Sequence, residues 1–460
     1  MRTGQESGRA CRAGGGSGSV SGRFRGRRIR WWMALSLVLW PALSFAGSLT
    51  ILYSANLDGE LEPCGCTEEG NLGGIQRRAT LIDRLRAEEE PLIVISGGGL
   101  LISDTPHDRL ISEYILRGIA ALDYDAIAVQ WRDLAYGMDF LKTVNLPWVA
   151  SNWQAEKVAG VARERELRRG PYRLMFFAWM DPGAAPHNAM PGGGAPVSDD
   201  RQALHDRLAA AKKAGALTVL ATTLTADEVA EQFPLQWLDI VLTRSAYEVY
   251  GEPHRRGSTL FLEPGSRGMR LGKLEVEIRD NRIAAYRHEV ISLPASVPDS
   301  PRMAAWYKEY NEKVKAAYEQ TVRLRQAREQ GQSPYIGAEA CAACHPSQTE
   351  IWQASDHAEA FDALLNVNKA FDPDCIGCHT VGFDQEGGFI ESQITGHLEN
   401  VQCESCHGAA RAHVVSQGRE PPAYADWPPR RMCAQCHVPK HSPSFEFSSY
   451  WKKIRHGSGE

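Results

Sequence analysis

Between residues 48 and 295 apolar positions fall in short runs, separated by stretches where they recur at three- and four-residue steps. The runs are rich in Val, Ile and Leu and predict strands at Leu49–Ser54, Leu92–Ser96, Ala126–Val129, Trp148–Ala150, Tyr172–Trp179, Leu217–Thr222, Leu238–Thr243, Thr259–Glu263 and Leu271–Ile278. Helical spacing between many of them, as over Gln76–Glu90 and Asp199–Ala214, predicts helices. Such alternation builds a layered α/β sheet covered by helices. The Gly- and Pro-rich stretch Gly183–Pro196 is expected to be a loop insertion.

The pattern then changes twice. Over 299–330, Met303, Trp306, Tyr307, Tyr310, Val314, Ala317, Tyr318 and Val322 form one apolar stripe at helical spacing. This predicts a long connecting helix that packs on one domain or on the seam between two. Over 334–457, strand and helix periodicity fade while Cys, His and Pro become frequent. So little apolar patterning leaves the segment short of a core of its own.

The N-terminus points to export. Residues 1–22 are rich in Gly, Ser and Arg, with no apolar period. Arg23, Arg25, Arg27, Arg28 and Arg30 form a basic region ahead of an apolar run from Trp31 to Phe45. That run has the length of a signal-peptide core and is short for a membrane span. Ser44-Phe45-Ala46 fits small-x-small cleavage, so residues 1–46 are expected to be a signal peptide and the mature chain to begin near Gly47. Retention of the segment as an N-terminal anchor is the alternative, and the only route to membrane attachment.

The chain has 460 residues, 43% hydrophobic and 23% charged, which is ordinary globular composition and suggests two or three domains. The formal charge of −5 argues against nucleic-acid binding, and loss of the Arg-rich leader leaves the chain more acidic still. Of eleven cysteines, Cys11 falls in the leader and Cys64 and Cys66 form a C-x-C. A soft-metal or redox role for that pair competes with capped or bridged thiols.

The other cysteines carry the chemistry. Cys341-x-x-Cys344-His345, Cys375-x-x-Cys378-His379, Cys403-x-x-Cys406-His407 and Cys433-x-x-Cys436-His437 repeat one signature, that of c-type haem attachment. Two thiols three residues apart both reach one porphyrin edge, and the next residue sets its imidazole beneath the iron. A lone C-x-x-C reads equally as a zinc or dithiol site, but four copies with histidine behind an export signal do not. Four covalently bound c-type haems are therefore expected, and they supply the missing core. Five further histidines, His357, His397, His413, His441 and His456, are candidates for the opposite axial positions.

This segment resembles the tetrahaem cytochrome c-554 family over about 334–440. The likeness rests on Tyr335-x-Gly337, on Trp352-x-x-Ser355-x-His357-Ala358, and on Val401-x-Cys403-Glu404-x-Cys406-His407-Gly408 with His413 downstream. It implies a mainly helical fold with closely stacked haems, three of them bis-histidine and one, usually the second, five-coordinate. It further implies that His357 serves the fourth haem and His413 the first. A third distal ligand does not carry over, because Glu350 stands where a histidine is expected. His397, His441 or His456 fills that place, or a second iron is open.

The first part resembles the 5'-nucleotidase-like metallophosphoesterases. The likeness rests on Leu49 to Gly59, Gly73-Gly74-x-x-Arg77-Arg78, Ile95-Ser96-Gly97-Gly98, Tyr124-Asp125-Ala126, Leu146-Pro147 with Asn152, and Gly265-x-x-Gly268-x-x-x-Gly272. The family's chemistry needs two metal ions held by Asp, His and Asn at strand ends. Here the expected motifs read Asn56-Leu57-Asp58, Gly97-Gly98-Gly99, Gln130-Trp131-Arg132-Asp133, Thr222-Thr223 and Thr243-Arg244-Ser245. Asp58 and Asp133 alone do not hold a dinuclear centre, so an inactive scaffold is expected. His107, His187, His205, His254 and His288 show no ligand spacing.

The chain is thus expected to be multidomain: a leader over 1–46, a phosphoesterase-like α/β sandwich over 48–295, a connecting helix over 299–330 and a mainly α, haem-cored domain over 334–457. The expected function is periplasmic electron transfer between redox partner proteins, with the first domain as docking or scaffold module. Two alternatives stand: an ester hydrolase coupled to a cytochrome, and reduction of a small nitrogen or sulfur oxide at an open haem.

Overall fold

The structure, a computed structural model, describes residues 48–64, 71–105, 107–154, 160–186, 197–243, 250–329, 331–438, 441–442 and 444–456. The leader, the side chains of Cys64 and Cys66, most of the Gly183–Pro196 stretch and Arg244–Ser245 lie outside the described residues.

The strands in chain order begin with β1 (Ser48–Ser54), β2 (Pro63–Cys64), β3 (Leu72–Gly73), β4 (Leu92–Ser96), β5 (Ala126–Ala128), β6 (Trp148–Val149), β7 (Val161–Ala162) and β8 (Glu164–Arg169). They continue with β9 (Tyr172–Trp179), β10 (Leu217–Thr222), β11 (Ile240–Leu242), β12 (His254–Arg256), β13 (Thr259–Leu262), β14 (Arg270–Arg279) and β15 (Arg282–Ser292). One sheet has the order β15-β14-β1-β4-β5-β6-β7, a second β12-β13-β11-β10-β9-β8, and β2 and β3 form a small ribbon. Strands from β1 through β4, β5 and β6 to β7 run parallel, and the β14–β15 hairpin joins β1 antiparallel.

Pleating sorts the side chains into three cores. Leu49, Ile51 and Tyr53 of β1 meet Leu174, Phe176 and Ala178 of β9 between the two sheets. The alternate residues of β9, Phe177 and Trp179, pack under the helices Arg201–Lys213 and Ala226–Gln232 on the outer face of the second sheet. On the outer face of the first sheet, Leu52, Leu92 and Val94 pack beneath the helices Ile75–Glu88 and Asp108–Ala120. The result is a two-sheet sandwich with helices outside, the α/β layered sandwich expected.

The connecting helix spans Ala304–Arg328 and lies on a seam. At its N-terminal end the Trp306 indole donates to Tyr114 O at 3.0 Å and Arg117 grips Glu309 at 2.7 Å. At its other end the Tyr318 hydroxyl donates to Ile390 O at 2.6 Å, and Arg325 donates to Phe389 O at 2.9 Å. Tyr310, Val314, Tyr318 and Val322 bury their side chains in a core that also holds Leu52, Ile115, Phe361, Ile376 and Phe389. The last segment therefore borrows its core from the helix and the first sheet as far as Ala410. From 411 to 456 no described side chain is buried. This part is built of short helices, from Ala338–Ala342 to Phe447–Ile454. Among the described residues no helix is long and apolar enough to cross a membrane.

Candidate functional site

Each Cys-x-x-Cys-His motif is wound as one helical turn. The backbone N–H of His345 donates to Cys341 O at 2.9 Å, and that of His437 to Cys433 O at 2.9 Å. One turn sets both thiols and the following imidazole on neighbouring sides of the backbone. The second motif sits at the end of the helix Pro373–His379, which begins with Asp372 capping Asp374 N and proline in its first turn. The third occupies the helix Cys403–His407. All eight thiols are unbridged; Cys344 is exposed and the rest are half-buried. The Cys341 thiol lies beside that of Cys403, and the Cys378 thiol beside that of Cys436, so four of the eight attachment points approach in two pairs.

The imidazoles gather as well. His345 faces His413 with ring centres 6.2 Å apart and planes 21° from parallel. His357 faces His437 at 6.2 Å, and His407 faces His456 at 5.9 Å. A ring nitrogen binds a first-row metal at about 2.0–2.1 Å with the ring centre about 1.1 Å behind it, so two rings on opposite faces of one ion stand about 6 Å apart. The spacing of all three pairs fits an iron between them. Burial holds His357, His407 and His437 below the usual imidazole range, in the neutral form that ligates. Nδ1 is engaged in His413 by Glu420 O at 2.7 Å, in His437 by the Ser442 hydroxyl at 3.0 Å and in His456 by Ile454 O at 3.0 Å. That leaves Nε2 of each for a metal.

His379 differs. Its Nδ1 lies 2.5 Å from Ala360 O, and among the described residues no histidine ring is paired with it. His397 is exposed, and its carbonyl accepts from Gln402 Nε2 at 2.9 Å. His441 is half-buried in the turn after the fourth motif, its backbone N–H donating to Val438 O at 3.0 Å. Among the described residues neither ring is paired with a motif histidine.

The remaining residues of the shared pattern hold this arrangement in place. Glu404 is buried and accepts from Ile336 N at 2.9 Å, Gly337 N at 2.8 Å and Ala410 N at 2.9 Å. It thereby pins the chain ahead of the first motif to the third. Gln402 adds a bond from Ala338 N at 2.6 Å. The Trp352 indole donates to Val401 O at 2.7 Å, and Val401 N donates to His357 O at 3.2 Å, which fixes the turn bearing His357. Gly408 has φ 77°, and a Cβ there would meet the Tyr424 ring at 2.9 Å, so glycine is required.

At the sandwich end where the phosphoesterase chemistry belongs, the candidate ligands are otherwise engaged. Asp133 is fully buried and accepts from the N–H groups of Gly99 at 2.9 Å, Leu100 at 2.7 Å, Leu101 at 3.3 Å and Gln130 at 2.9 Å. Its carboxylate is saturated by backbone donors. Asp58 is ion-paired with Arg132. Asn56 accepts from Gln130 Nε2 at 3.0 Å. The cleft lined by Gly97, Gln130, Trp179 and Thr222 holds about 10 Å³, room for one water at most. Among the described residues no three His, Cys, Asp or Glu side chains lie together as a metal site.

Comparison with known proteins agrees with both halves of this picture. Residues 340–408 match the family of cytochrome c554 and c-prime. A cytochrome c-554 of Nitrosomonas europaea is 36% identical over 94 residues, which cover 17% of this chain and 40% of that protein. The chain thus spans well under half of that relative. For the sandwich, a 5'-nucleotidase precursor from Thermus thermophilus superposes with a TM-score of 0.51 at 17% identity, over 58% of this chain and 59% of that one. The sulfate thiohydrolase SoxB of the same organism gives 0.50 at 16% identity, over 65% of this chain and 68% of that one. At such identity these show the fold: two mixed sheets with helices, as in the metallophosphoesterases.

The cytochrome c554-like segment implies covalently bound c-type haem, and its donor set fits one. The match spans the first three motifs; the fourth, Cys433 to His437, lies beyond it. Gln402 carries no local sequence signal, because its role rests on bonds to residues distant along the chain, whereas Asp372 followed by Pro373 is a local helix-start signal.

Proposed function

We propose that the chain is a periplasmic tetrahaem c-type cytochrome that carries electrons between redox partner proteins, with the sandwich as an inactive docking or scaffold module. The observation that carries this reading is the set of three imidazole pairs spaced for an iron. In it His345 and His413 would hold the first haem, His407 and His456 the third, and His437 and His357 the fourth. His379 serves the second haem alone. The thiol contacts Cys341–Cys403 and Cys378–Cys436 support close packing of the first with the third site and the second with the fourth. Bound haem iron supplies one-electron redox chemistry. Two imidazoles would engage the iron at three sites, which would favour electron transfer over substrate binding there. The basic-then-apolar leader over 1–46 supports export, and the acidic chain suits a basic redox partner.

One observation favours a second reading. His379 lacks an opposing imidazole among the described residues, so the second site is where a small nitrogen or sulfur oxide would be reduced. A reductive titration of full-length protein from the periplasmic fraction tests the proposal. Uptake of four electrons per chain without hydrolysis of phosphate or sulfur esters is expected. Fewer electrons, or ester hydrolysis, overturns it.

A further inference from the structure

The loop after β1 reaches from the remnant metal site to the second haem motif. Along it Asp58 pairs with Arg132, Glu60 lies 3.5 Å from Arg267, and Glu62 meets Lys369 at 2.6 Å. The last contact crosses from the sandwich to the cytochrome segment. The Lys369 ammonium also donates to Asp372 at 3.2 Å and to Asn311 Oδ1 of the connecting helix at 2.9 Å. It stands 5.6 Å from the ring centre of Tyr307 and 5.5 Å from that of Tyr310, and the Tyr307 hydroxyl donates to Glu62. Lys369 is 8% exposed and Asp372 3%.

Asp372 caps the helix Pro373–His379, accepting from Asp374 N at 3.1 Å, and its carbonyl accepts from Cys375 N at 3.0 Å. A chain of charges, half-buried at Glu62 and buried at Lys369 and Asp372, thus ends on the backbone that bears Cys375, Cys378 and His379. It holds two carboxylates and one ammonium; burial pushes the Glu62 carboxyl upward and the Lys369 ammonium beside it draws it back, and with all three ionised the net charge is negative.

We propose that Glu62 is a positioning residue through which the sandwich sets the second haem: it orders Lys369 and Asp372 behind the attachment helix and places negative charge beside that site. The inference rests on the haem reading given above. Negative charge in a poorly solvated setting favours the oxidised, more positive iron. This gives the sandwich a function that needs no metal and no substrate.

The test is spectroelectrochemistry on full-length holoprotein, following the high-spin component assigned to the second haem. Glu62→Gln keeps the size of the side chain and removes its charge. It is expected to make that component about tenfold easier to reduce, which is about 59 mV for one electron. The low-spin components should move much less. Tyr307→Phe, which leaves the charge in place, should give a far smaller shift. Glu62→Asp should restore most of the wild-type potential, and it decides the matter if Glu62→Gln loses haem. An unchanged high-spin component in Glu62→Gln, or the same shift in Glu62→Asp as in Glu62→Gln, overturns the inference. Failure of the haem reading is distinguishable: wild-type protein would then lack a haem at Cys375–His379, and both claims would fall together.

Discussion

His407 and His456 face each other across 5.9 Å, although they are separated by the whole of the fourth motif and the helix Phe447–Ile454. The chain returns to the third motif to bring its last described residue opposite the motif imidazole. His456→Ala is therefore expected to convert one low-spin iron to high spin with no loss of haem. His397→Ala and His441→Ala should leave the spin state unchanged. Electron paramagnetic resonance of the three oxidised variants checks this, and a spin change in either of the latter two would reassign the third site.

Glu404 is expected to be the most sensitive polar residue of the cytochrome segment. Glu404→Ala strands three buried N–H donors at about 1–3 kcal/mol each, so a loss of about 4 kcal/mol is expected. Glu404→Gln keeps one good acceptor and should lose about 2 kcal/mol. Denaturant unfolding of the holoprotein, followed by circular dichroism, measures both. Values near zero for either variant would contradict the role assigned to this carboxylate.

The seam has its own acid signature. Hydrogen bonds from the Arg117 guanidinium, and next from the Tyr114 hydroxyl, hold the Glu309 carboxyl at about 2, below its ordinary 4.5. A depressed folded-state value means that the stabilisation is full above about pH 4.5 and lost as pH falls through about 2. The pair is partly exposed, so the effect is modest. The difference in melting temperature between wild type and Glu309→Gln should be constant above that window and shrink toward zero within it. A difference independent of pH would contradict the assignment.

Asp133 and Asp58 are the two carboxylates in the motifs compared with the phosphoesterases, and their partners give them different weights. Asp133→Asn turns an amide NH₂ toward N–H donors and should destabilise the sandwich by about 3 kcal/mol. Asp58→Asn suits the left-handed backbone at this position (φ 57°) and breaks only an exposed ion pair, so it should cost less than about 1 kcal/mol. Neither variant should change the Mn or Zn content of the purified protein, and none should be stoichiometric in the wild type. Elemental analysis alongside unfolding curves tests both statements.

Much of this architecture was legible from residue pattern. Strands β4, β9 and β10 match the expected ranges to the residue, because runs such as Leu92–Ser96 are buried on both faces and bounded by polar residues. The strands that pattern missed are at sheet edges. β8 reads Glu-Arg-Glu-Leu-Arg-Arg and β12 His-Arg-Arg, and charge on edge strands protects them from further pairing while erasing the apolar alternation. The two-sheet sandwich was legible through the family resemblance, while the order of strands within each sheet was not, since it depends on pairing between distant strands.

The candidate site was legible where its chemistry is local. Four thiol pairs, each followed by histidine, need no alignment to be seen. The third axial partner was not, because three histidines were equivalent by sequence and only the turn after Ile454 separates His456 from His397 and His441. The Glu62–Lys369 contact was equally hidden, since it joins positions more than three hundred residues apart.

The central claim is tested most directly by counting haems and spins on oxidised, full-length protein matured with its haem. The pyridine haemochrome assay is expected to give four c-type haems per chain, and quantitative electron paramagnetic resonance three low-spin ferric irons and one high-spin. Fewer than four haems, or four low-spin irons, would contradict the account.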